Sequence, residues 1–114
     1  MNKNKIRMTV IRNLLDKVNS YAGLKASASQ WNYEYNVVII TYFDTQIGRL
    51  VFDLDNISVE SSMIPNAHGK VEWPIEFRGD SEVMSNDIFN LLIRFTSIVH
   101  PIQVMEQGKE KDND

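Results

Sequence analysis

Asp53 and Asp55 stand two residues apart at the end of an apolar run, and Glu60 follows shortly after. Carboxylates at that spacing on one strand face would share Mg²⁺ or Ca²⁺ with water. The glycine and ligand spacing of a calcium loop are missing, so these acids read as ordinary surface charge. His68 and His100 are the two histidines, and their spacing is wrong for a zinc-binding helix pair. No Gly-x-Ser-x-Gly elbow occurs, and the five glycines are scattered rather than gathered into a phosphate loop. Zero cysteines exclude disulfides and thiolate metal sites. Arg78-Gly79-Asp80-Ser81 spells the integrin-binding tripeptide, yet a glycine turn and a helix cap explain the same residues. The expectation is no catalytic residue, no metal and no cofactor.

The segment Leu50-Val51-Phe52-Asp53-Leu54-Asp55-Asn56 resembles the first motif of haloacid-dehalogenase-type phosphatases. The resemblance implies Asp53 as the carboxylate that attacks phosphorus and Asp55 as the acid/base. Ile57 stands where that family usually has threonine. The 59 residues after Asp55 are too few for the parallel sheet and the later acidic and lysine motifs. The segment therefore reads as a hairpin strand ending in a solvated acidic turn.

Charge is divided unevenly. Residues 1–25 carry six cations and one acid, whereas residues 26–114 carry six cations and fourteen acids. A cationic first helix on an acidic body either docks on its own sheet or faces an acidic partner. Lys3, Lys5 and Arg7, with Arg12 behind them, would form a basic arm for nucleic acid. They do not make a tight stripe, so nucleic acid is the second reading rather than the first.

Elements follow from periodicity. Ile6, Val10, Ile11, Leu14, Leu15, Val18 and Tyr21 make one helical stripe, with Arg7 at its start and Gly23 as the stop. Strands are expected over 26–32, 37–43 and 49–54, continuing at Ile57 and Val59, with a hairpin loop at 44–48 that uses Gly48. Lys70 to Arg78 alternates, and Pro74 places it at a sheet edge or a bulge. A second helix, capped by Ser81 or Ser85, runs to Val99 and ends before Pro101. Met84, Ile88, Leu91, Leu92, Phe95, Ile98 and Val99 form its docking arc, while Phe89 and Ile93 make a separate ridge. The first helix, a second copy of the chain or a partner would cover that ridge.

The order predicts a two-layer α+β domain: an antiparallel meander of four to five strands with both helices on one face. It spans residues 1–105, and a disordered charged tail follows over 106–114. The longest aliphatic run is too short for a bilayer and no signal peptide is read, so a cytoplasmic protein is expected. The functional reading is a non-catalytic protein-binding module or inhibitor. Small acidic domains of this kind are frequent among phage, mobile-element and bacterial accessory proteins, by analogy alone. The candidate contacts are Phe89 and Ile93, the aromatic face Trp31, Tyr33 and Tyr35, and the edge-strand residues Glu72, Pro74 and Glu76. A homodimer is one form of such contact. A small-ligand pocket near Trp73 and the His68 loop is a third reading.

Overall fold

The computed structural model describes residues 3–32, 35–75 and 81–112. The elements are α1 (Lys3–Ser20), β1 (Leu24–Trp31), β2 (Asn36–Tyr42), β3 (Thr45–Phe52), β4 (Asn56–Glu60), β5 (Lys70–Pro74) and α2 (Ser81–Asp112). The five strands form one antiparallel sheet in the order β1-β2-β3-β4-β5, an uninterrupted meander. Both helices lie on one face, α1 over β1 and α2 over β3, and they pack against each other. This is the two-layer α+β arrangement that the element order implies.

Alternation along each strand builds the core. Leu24, Val38, Ile40, Tyr42, Leu50, Phe52, Ile57 and Val59 turn toward the helices and are buried. Cross-strand register stacks them: Val38 faces Leu50, Leu50 faces Val59, and Phe52 faces Ile57. From α1 come Ile6, Val10, Ile11, Leu14 and Val18; from α2 come Ile88, Leu92, Phe95 and Val99. Val37 and Val51 pair on the opposite face and belong to no part of that cluster.

Gly23 closes α1 as its position suggests. It has φ +89°, and Leu24 donates to the Tyr21 carbonyl and is buried behind it. The β2–β3 turn differs from the expected five-residue loop. Phe43 and Asp44 alone make it, both at positive φ (46° and 66°) between the paired Tyr42 and Thr45. Two left-handed residues match the twist of the flanking strands, so this short turn wins over a longer one. Gly48 is consequently a buried strand residue opposite Ile40, and a bulge admits Ile47 to the core.

The second helix also departs from expectation. It begins at Ser81, and Ser85 lies inside it, donating to the Ser81 carbonyl at 2.6 Å rather than capping. It runs through Pro101 into the charged segment beyond 105. Proline removes one N–H, and the carbonyl it would have served is that of Ser97, an exposed residue. The buried stripe is Ser85, Ile88, Leu92, Phe95, Thr96 and Val99, whereas Ile98 is 57% exposed. Two hydroxyl residues sit where apolar counting places none, because each satisfies its hydroxyl on the helix's own carbonyls.

Gly23→Ala is expected to lower the unfolding free energy by about 1–3 kcal/mol in denaturant titration. A Cβ there would sit 2.6 Å from the Phe43 ring, and the φ would still be left-handed after that exposed ring moved.

Candidate functional site

Arg7 is the largest fully buried side chain, at 1% exposure. At 100° per residue it falls in the middle of the α1 stripe, in line with Ile11, Leu14 and Val18. Its terminal nitrogen Nη2 donates to the Asn36 side-chain oxygen and, at 3.2 Å, to the Phe52 carbonyl. Asn36 and Phe52 face each other across β2 and β3, so one guanidinium ties the helix to two strand ends. Asn36 then donates from Nδ2 to the Asn32 carbonyl at 2.8 Å. Asn32 and Tyr35 close the β1–β2 turn with two further bonds, through the Tyr35 carbonyl and the Asn32 side chain.

Beside that turn β1 carries a bulge. Ala28 faces Val38 and Gln30 faces Val37, so Ser29 is the extra residue. The bulge reverses the side-chain alternation, and Trp31 falls opposite Asn36 on the helix-facing side. No helix covers it there: Trp31 is 52% exposed, and β1 is exposed from Ser27 to its end. The result is a cleft of about 520 Å³ lined by Asn4, Arg7, Met8, Trp31, Asn32 and Asn36. Met8 forms an apolar wall at 44% exposure, three carboxamides supply donors and acceptors, and Arg7 is the charged member of the lining. The described lining residues include no acid or imidazole, and their chemistry suits a planar or carboxylate-bearing group.

The other candidates are dispersed. Trp31 ends β1 whereas Tyr35 precedes β2, so these two do not share one strand face; Tyr33 lies outside the described residues. Arg7 is buried, so it is no member of a basic arm, and Lys3 reaches Asp55 at 3.2 Å. Lys5 and Arg12 are exposed on α1. Phe89 and Ile93 are half-buried against the core, and Phe89 meets Tyr21 edge-on at 6.0 Å, next to the end of α1. Glu72 and Pro74 are exposed on β5, which is a sheet edge as Pro74 suggests. Glu76 and the Arg78-Gly79-Asp80 tripeptide fall outside the described residues.

The acidic motif does structural work. Asp53 Oδ1 accepts the backbone N–H groups of Asp55 and Asn56 at 3.0 and 2.8 Å, which shapes the β3–β4 turn. Glu60 pairs with Arg49 across the strands at 2.5 Å. His68 lines an open hollow of about 670 Å³ with Asn66, Ala67, Lys70 and Glu72, and Trp73 is not part of it. Glu72 bonds Lys70 at 2.6 Å, and that bond, then its charge, holds the ammonium above its ordinary range. His100 is not at a helix end: it lies within α2, with Nδ1 3.0 Å from the Tyr42 hydroxyl, linking that helix to the sheet.

Sequence reasoning missed Asn4, Met8, Asn32 and Asn36. One signal was available for them: a cation centred in an apolar stripe needs a buried acceptor. The bulge left no signal, because Ser29 sits in a run of small residues with no pattern to break.

Arg7→Ala is expected to cost about 2–4 kcal/mol of stability, since it leaves a cavity and strips two buried acceptors of a charged donor. Arg12→Ala, on the exposed face of the same helix, is expected to stay within about 0.5 kcal/mol. Chemical denaturation of the two variants side by side measures the contrast.

No protein-family model, no curated protein and no solved structure matches the chain.

Proposed function

We propose that the protein works by binding another protein and not by catalysis, with the Trp31 end of β1 as its recognition surface. One observation carries this reading. α1 packs over the start of β1 but leaves its far end uncovered, so among the described residues the Trp31 indole and the outer edge of that strand end stand exposed beside a polar cleft. Half-exposed tryptophans with an adjacent free edge are the features that strand addition and interface anchoring use. The carboxylates that could have pointed to phosphoryl chemistry are engaged in a turn and in ion pairs, which supports the same reading. The Phe89/Ile93 ridge supports it less, because Tyr21 already packs on Phe89. Among the described residues no helix is long and apolar enough to cross a membrane.

A homodimer formed through this surface is a special case. The test compares the full chain with Trp31→Glu, first by sedimentation and then by affinity capture from source cells. The expected result is self-association or one stoichiometric partner that Trp31→Glu loses while its melting curve is unchanged. A monomer whose captured proteins are the same with and without the substitution would rule the reading out.

A further inference from the structure

We infer that the partner is a second copy of this chain, joined by antiparallel pairing of β1 with β1 about a two-fold axis at Ser27. This rests on the protein-binding reading above and names its partner.

The first support is the contrast between the two sheet edges. β5 is short, carries Lys70 and Glu72, and ends in Pro74, all features that discourage strand addition. β1 is longer, with no proline and one charge, Lys25. Its main chain is paired on the β2 side alone. The Gly23 carbonyl accepts the Phe43 N–H, so by alternation Lys25 and Ser27 bond inward to β2 while Ala26 and Ala28 turn their N–H and C=O groups outward. With Ser27 facing Ser27, Ala26 of each copy meets Ala28 of the other, which gives about four new main-chain hydrogen bonds. That register also separates like charges, because Lys25 faces Ser29 and not its own counterpart.

Shape is the second support. Arg7, near the start of α1, reaches Asn36 on β2 and Phe52 on β3, whereas the end of the helix turns directly into Leu24 of β1. The helix therefore crosses the sheet obliquely, over the start of β1 and away from its far end. A two-fold axis sets the uncovered end of each strand beside the covered start of the other. Trp31 of one copy then falls next to Gly23 of the other, where the exposed Phe43 ring packs on that glycine. Each cleft gains a wall, and each indole an aromatic neighbour.

The third support is charge on the helix flank that this pairing brings together. Asn4 and Met8 line the cleft beside Trp31, and Leu15 and Asn19 lie within about 60° of them round α1. None of these four is charged, whereas Lys17 lies on the other flank in a hollow shared with Glu82 of α2. From Leu24 to Ser27 the strand advances about 10 Å, and about seven helix residues cover the same distance back from Ser20. The axis therefore passes α1 near Asn13 and Leu14. Arg12 of one copy stands level with Asp16 of the other, so opposite charges meet there.

The test weighs the full chain by sedimentation equilibrium over a range of concentrations, beside Ser27→Lys and Ser27→Glu. Ser27 is exposed, so neither change should move the melting curve. The expected result is a dimer of the parent chain, association at least about tenfold weaker for each variant alone, and recovery of the dimer when the two are mixed. Ser27→Cys, in a chain with no other cysteine, should oxidise to a disulfide-linked dimer, while the same change at exposed Ser97 should not. The cysteine pair keeps the test decisive if a charged variant misfolds. A parent that stays monomeric at every concentration, or a dimer that Ser27→Lys leaves intact, would overturn the inference. The protein-binding reading would survive that result if Trp31→Glu still lost a protein captured from source cells. A dimer indifferent to Ser27→Lys, with captured proteins indifferent to Trp31→Glu, would overturn both.

Discussion

A buried charge sets the terms for this fold. The Arg7 guanidinium lies in the middle of an apolar helix stripe, where an ion without acceptors would be strongly unfavourable. Its acceptors come from two strand ends, the Asn36 side chain and the Phe52 carbonyl. Asn36 therefore occupies a position on the core face where its strand neighbours are Val38 and Ile40. The same asparagine bonds the Asn32 carbonyl, and Asn32 shapes the turn that follows the β1 bulge. The path from Arg7 through Asn36 and Asn32 ends at Trp31. Core geometry and the exposed end of β1, the proposed recognition surface, thus share one set of bonds.

Most of the architecture was legible because it rests on periodicity. The α1 stripe, the Gly23 stop, the meander order and the edge position of β5 all follow from local patterns that tertiary contacts reinforce. What was not legible depends on pairing. A one-residue bulge at Ser29 turns Trp31 to the other face, and nothing in Ala-Ser-Ala-Ser-Gln marks it. The Phe43–Asp44 turn was hidden because phenylalanine is a poor left-handed residue, while Gly48 nearby drew the eye. Ser85 and Thr96 were passed over as core positions because their hydroxyls are satisfied within the helix, which only coordinates reveal. Pro101 stands inside a helix where the residues before it favour a stop.

The same contrast governs the functional reading. Charge asymmetry along the chain was visible at once, but its use was not. The cations of the first helix divide by depth: Arg7 is buried, while Lys5 and Arg12 are exposed on the surface. The acids of the Asp53–Asp55 pair go to a turn and to Lys3. Carboxylates whose spacing resembled a catalytic motif make turn and ion-pair contacts in the fold. The cleft beside Trp31 is lined by an exposed indole and thioether, three carboxamides and one buried guanidinium, a set consistent with the recognition role proposed for it.

The bond between Arg7 and Asn36 is the hinge of this account, and a double-mutant cycle measures it most directly. Arg7→Met, Asn36→Leu and the double variant would be unfolded in denaturant beside the parent chain. The account predicts a coupling of about 1–3 kcal/mol, with the double variant more stable than the sum of the two single losses implies. Strictly additive losses would contradict it, because the two side chains would then contribute independently and the cleft would not be built on their contact.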